Sequence, residues 1–180
     1  MRRVIVHLIR GEVGKYHESI TRNLSEKFQT FPIHDRILPH ITLKRWFEFD
    51  EEEMKTLYGK LEDFAASCVQ TNYSLKGFGN FGKEVIYVDA KPSREMSDNI
   101  NRLSKVLHEI TNLTFDEFDT NQELHVTVAF AALKPFDYDQ VWSYLTSGIQ
   151  PDYKMKFDNI AVMKKVEDKW EVDRIWEIKV

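Results

Sequence analysis

The sequence predicts an α+β protein built from two divergent copies of one unit. Two observations carry this. Strand-like and helix-like segments interleave without strict alternation. The pattern His-apolar-Thr-apolar occurs twice, as His40-Ile41-Thr42-Leu43 and His125-Val126-Thr127-Val128, each time within a strand-like segment set among helices. The chain has 180 residues, 42% hydrophobic and 30% charged, enough for a sizeable core. With only 7 glycines and 5 prolines and no low-complexity tract, it shows no linker, so residues 1–180 read as a single domain.

Residues 3–9 are branched and apolar, as in a buried strand, and Val13, Tyr16, Ile20, Leu24 and Phe28 follow at helical spacing. Residues 38–47 read as a second strand, with Pro39 at its start where a missing donor is tolerated. Asp50 and Glu53 form a capping-box pattern ahead of the stripe Met54, Leu57, Leu61 and Phe64. Residues 73–78 and 84–90 read as a hairpin turning at Gly79-Asn80-Phe81-Gly82. Ser93 then caps a helix carrying Met96, Ile100, Leu103, Leu107 and Ile110, and 123–131 returns to strand character. A short helix on Tyr138, Val141, Trp142 and Leu145 precedes two strands, 154–163 and 169–178, that turn at Glu167-Asp168. The order strand, helix, His-x-Thr strand, helix, strand pair thus occurs twice, with a different opening strand.

Charge and cysteine content exclude several functions. A formal net charge of -4 argues against coating long nucleic acid by bulk electrostatics, which needs a broad cationic face. A short nucleotide in a local pocket remains compatible. The lone Cys68 forms no internal disulfide and suits a reducing compartment, so a cytoplasmic location is expected. No apolar run approaches the length needed to span a bilayer, and no membrane partner is expected.

On a strand, residues two apart share a face, so His40 points with Thr42 and His125 with Thr127. If the halves pack face to face, two imidazoles and two hydroxyls converge on one cleft suited to a phosphate. One imidazole can then take a proton from the nucleophile while the other, protonated, gives one to the leaving oxygen. By the same alternation Lys44 joins that face as a phosphate-binding cation, with Ala129 in its place in the second copy. Lys134 and Lys164 are further cations that could reach in. Trp46, six residues from His40, falls on the cleft face as a base-stacking candidate, and Phe130, five from His125, falls off it.

The paired motifs, above all Leu38-Pro39-His40-Ile41-Thr42-Leu43-Lys44, resemble the two-histidine phosphoesterase superfamily, in particular its bacterial and archaeal 2'-5' RNA ligase-like (LigT-like) branch. The resemblance covers nearly the whole chain. It implies two pseudo-symmetric lobes whose antiparallel sheets line a central cleft with helices outside. It also implies no metal and no other cofactor, and hydrolysis or reversible ligation of 2',5' or 2',3'-cyclic phosphodiesters. The matched positions are His40, Thr42, His125 and Thr127. The expected partner is a nucleotide or RNA end with a cyclic phosphate or a 2',5' linkage, handled by a monomer. His125 is taken as base and His40 as acid, an assignment that pseudo-symmetry leaves almost even. One departure stands out: Val128-Ala129-Phe130-Ala131 lacks the basic residue that many members carry after the second motif.

The competing readings are plainer. A non-catalytic module could hold RNA ends or nucleotides in the same cleft. Two histidines without a third ligand fall short of a zinc signature. His7, His17, His34 and His108 have no matching threonine and read as core or surface residues, and Cys68 reads as inert. Acids at 50–53 suit a helix N-terminus, Lys164-Lys165 suits a solvated strand end, and Trp142, Trp170 and Trp176 suit the core.

Overall fold

The parity of the first strand sets the layers. In β1 (Arg2–Leu8), Ile5 points into the main core, whereas Val6 and Leu8 meet Ala161 and Met163 in a smaller cluster on the opposite face. The computed structural model describes every residue except Asn121. The chain continues through α1 (Gly11–Phe28), α2 (Ile33–Arg36), β2 (His40–Glu48) and α3 (Glu51–Ser67) to the hairpin β3 (Thr71–Phe81) and β4 (Val85–Pro92). Next come α4 (Arg94–His108), α5 (Glu117–Thr120), β5 (His125–Phe130), α6 (Tyr138–Ser147), β6 (Asp152–Phe157), β7 (Asn159–Val166) and β8 (Lys169–Glu177).

The strands form two antiparallel four-stranded sheets, ordered β2-β1-β7-β8 and β5-β4-β3-β6. This is the expected α+β fold of two lobes. Each lobe carries a strand, a long helix, a four-residue helix, a His-x-Thr strand and another helix: β1-α1-α2-β2-α3 and β4-α4-α5-β5-α6. The His-x-Thr strand is the edge of its sheet in both, and the two edges approach each other across the lobe boundary without pairing. Caps fix the helix starts. Asp50 and Glu53 close a reciprocal capping box on α3, and Ser93 accepts from the Met96 N–H at 3.1 Å on α4.

The short helices α2 and α5 are additions to the expected elements, and three further features differ from expectation. The segment 154–163 is not one strand but two: β6 pairs with β3 in the second sheet, and after Asp158 β7 pairs with β1 in the first. Asn159 fixes the crossover, its side chain accepting from the Leu8 N–H and donating to the Leu8 carbonyl, both at 3.0 Å. The hairpin turns at residues 82–84, so β3 runs on through Phe81. The strand pair 73–90 therefore belongs to the sheet of the second His-x-Thr strand, although it follows the first in the chain. No helix is long and apolar enough to cross a membrane among the described residues.

Candidate active site

The two motifs are built alike down to their irregularities. Residues 40–45 and 125–130 share one burial pattern, in which His and Thr are half-buried, the residue after each is buried, and two consecutive buried residues follow the Thr. Strand pairing explains the doublet. Val6 pairs with Thr42 and Ile5 with Lys44; Tyr87 pairs with Thr127 and Ile86 with Ala129. One extra residue, Leu43 or Val128, is thus inserted just after each threonine, a β-bulge that reverses the side-chain alternation beyond it.

Each imidazole is held the same way. His40 donates its Nδ1–H to the Leu38 carbonyl at 2.8 Å, and His125 donates its Nδ1–H to the Glu123 carbonyl at 2.6 Å. A carbonyl only accepts, so the tautomer is fixed and Nε2 carries the free lone pair in both neutral rings. Among the described residues neither Nε2 bonds to protein, and neither do the hydroxyls of Thr42 and Thr127. Burial pushes the His40 pKa down to about 4, helped by the nearby imidazoles of His17 and His125. Burial lowers His125 as well, but its carbonyl bond and the carboxylates of Glu123 and Asp89 oppose the shift. The His125 ring packs on Phe81 and Tyr87, each with its centroid 5.0 Å away. Gly79 makes room for that shelf, because a Cβ there would lie 2.4 Å from the Tyr87 ring.

Beside His40 and Thr127 lies a cleft of about 350 Å³, walled by Ile33 and Arg36 of α2, Phe130 and Leu133 after the second motif, and Lys165 and Trp170 of the β7–β8 hairpin. His17 of α1 also lines it, donating Nε2–H to the Thr127 carbonyl at 2.7 Å. Arg36 pairs with Asp168 in the same wall.

Two sequence-based assignments need correction. Lys44 does not join the cleft: beyond the bulge it turns inward, where its ammonium meets Asp119 at 2.8 Å, both side chains being 2% exposed. Trp46 does not line the cleft either; it is 53% exposed at the far end of β2, with the Arg2 guanidinium 4.9 Å from its ring centroid. Phe130 lines the cleft instead, because the bulge at Val128 restores it to the face of His125. Of the two lysines left open, Lys164 pairs with Asp173 at 3.0 Å and is not among the cleft residues, and nor is Lys134. Among the described residues, no group of three or more His, Cys, Asp or Glu side chains is arranged to hold a metal.

Residues 12–169 match the family model described as the 2'-5' RNA ligase superfamily. The chain belongs to that superfamily. Solved structures share the fold at low identity. TT0787 of Thermus thermophilus is 15% identical with a TM-score of 0.72, the match covering 99% of this chain and 98% of that one. E. coli LigT complexed with 3'-AMP is 13% identical with a TM-score of 0.62, over 99% and 98% of the two chains. Kluyveromyces marxianus Usb1 is 13% identical with a TM-score of 0.50, again over 99% and 98%. No curated protein matches the chain by sequence. The match agrees with the resemblance to the two-histidine phosphoesterase superfamily drawn from the two motifs.

The residues that sequence reasoning missed are His17, Phe130, Lys165 and Trp170. Only His17 had a local signal. It lies between Val13 and Leu24 on the apolar stripe of α1, and a polar residue there needs a buried partner.

Proposed function

We propose that the protein hydrolyses 2',3'-cyclic phosphates, on RNA ends or nucleotides, to 2'-phosphates, and that the same site can carry out reversible 2',5' ligation when a 5'-hydroxyl replaces water as the nucleophile. One observation carries this reading. Two imidazoles on facing edge strands are pinned through Nδ1, leaving Nε2 bare, and each shares a strand face with a threonine whose hydroxyl is unengaged among the described residues. Thr42 and Thr127 donate to the phosphate oxygens and hold phosphorus between the rings.

The surroundings favour acid and base roles in the reverse of the sequence-based order. His40 lies near other imidazoles, which disfavour its charge, and serves as base. His125 lies near Glu123 and Asp89, which favour its charge, and serves as acid once the anionic phosphate is bound. Water forms the new P–O bond as its proton passes to His40 Nε2. The P–O3' bond breaks as His125 gives its proton to O3', leaving a 2'-phosphate. Bound nucleotide in E. coli LigT, solved with ATP and with 3'-AMP, supports a nucleotide ligand.

The test is to incubate chelator-treated protein with the four nucleoside 2',3'-cyclic monophosphates and with cyclic-phosphate-ended oligoribonucleotides, following products by chromatography. A 2'-phosphate is expected, with His40→Ala and His125→Ala each lowering kcat by about 100-fold or more. Nucleotide binding without turnover of any of these substrates would overturn the hydrolase reading in favour of a binding module.

A further inference from the structure

Both His-x-Thr strands are edges, and an edge strand presents backbone groups that its own sheet leaves unpaired. On β2 two of these groups are taken by side chains of the other lobe. Asp119 of α5 accepts the Arg45 N–H on Oδ1 at 2.8 Å, and Gln122 donates its amide to the Leu43 carbonyl at 2.9 Å. The same carboxylate accepts from the Lys44 ammonium at 2.8 Å and from the Asp116 N–H at 3.1 Å, so three donors hold it in place. Asp119 and Gln122 thus stand in for a neighbouring strand.

Their placement ties one motif to the other. Leu43 is the residue inserted directly after Thr42, so Gln122 grips the bulge itself. Asp119 and Gln122 lie in the short approach to His125, which opens β5. The opposite edge is held in return, because His17 of α1, in the first lobe, donates to the Thr127 carbonyl at 2.7 Å. An acid and a base acting on one phosphorus need a spacing accurate to roughly 1 Å. Neither sheet alone can set it, since each motif belongs to a different one. Apolar packing between the lobes is non-directional, which leaves the register to these hydrogen bonds.

We propose that Asp119 and Gln122 are positioning residues, a clamp that sets His40 and Thr42 against His125 and Thr127. This rests on the reaction proposed above and deepens it. Neither residue lines the cleft, so both act through the strands they hold.

Two substitutions of Gln122 separate positioning from packing: Gln122→Met keeps the length and loses the donor, and Gln122→Lys keeps a donor. With adenosine 2',3'-cyclic phosphate, Gln122→Met is expected to lose about 10-fold in kcat with a smaller change in KM, and Gln122→Lys to retain most of kcat. Lys44→Met combined with Asp119→Leu, which removes the other half of the clamp without stranding a charge, should lose kcat to a similar extent. Amide hydrogen exchange reads the clamp without turnover. The Arg45 amide should exchange about fivefold faster or more in Gln122→Met than in wild type or Gln122→Lys. Unchanged kcat in Gln122→Met, an equal loss in Gln122→Met and Gln122→Lys, or an Arg45 amide that does not respond overturns the clamp. If the exchange pattern holds but wild type turns over no cyclic phosphate, the hydrolase reading fails and the clamp stands as the tie between the two motif strands.

Discussion

His17 shows how much one side chain outside the paired motifs can govern. It reaches from the first lobe to the second, and its Nε2–H holds the carbonyl of Thr127, a residue that lines the cleft. A donor at that position matters more than a ring. His17→Gln can still donate to the carbonyl, whereas His17→Phe leaves it buried without a partner, at a cost of about 1–3 kcal/mol. Steady-state kinetics should show His17→Phe losing about 10-fold or more in kcat, as Thr127 drifts from the phosphate, and His17→Gln retaining most of it. Equal kinetics for the two variants would reduce His17 to a packing residue. Burial lowers its pKa, which keeps the ring neutral at pH 7 and the contact a neutral hydrogen bond.

At the scale of elements, the two bulges decide which residues belong to the site. Up to each threonine, strict alternation held, so the pairing of His40 with Thr42 and His125 with Thr127 on half-buried faces was legible in the sequence. Past the bulges parity reverses, which is why Lys44 was placed in the cleft and Phe130 outside it. Nothing in Thr-Leu-Lys or Thr-Val-Ala signals an inserted residue, since a bulge depends on the partner strand. The helices, read from their stripes and caps, matched most closely. The division of 154–163 at Asp158 carried no glycine or proline and could not be read locally. Lys44 now has a structural part, joining β2 to α5 through Asp119. Lys44→Met should destabilise the fold by about 3–5 kcal/mol by stranding a buried carboxylate, measured by urea denaturation. Lys44→Met with Asp119→Leu should recover much of that loss, an outcome foreign to a phosphate-binding lysine.

For the whole molecule, acid is the weak side. His7 is 1% exposed between the lobes, donating Nδ1–H to the Asn159 carbonyl at 3.0 Å and accepting from the Tyr73 hydroxyl at 2.9 Å through Nε2. Burial pushes its pKa from 6.5 down to about 4. The unfolded chain therefore takes up this proton first as pH falls, so stability present above about pH 6.5 drains away down to about pH 4. His7 alone accounts for about 2 kcal/mol between pH 7 and pH 5. His17, His40 and His125, all shifted the same way, add to it. Thermal melts should show Tm falling over that interval, and His7→Gln should shrink the fall even where its starting Tm is lower. The order of strands in the first sheet has a further consequence for how the protein folds. The second sheet draws all its strands from Thr71–Phe157, one continuous stretch. In the first, β1 and β2 are near neighbours in the chain, but β1 must also meet β7 from the far end, so completing the sheet whose edge bears His40 requires the longest-range pairing in the fold.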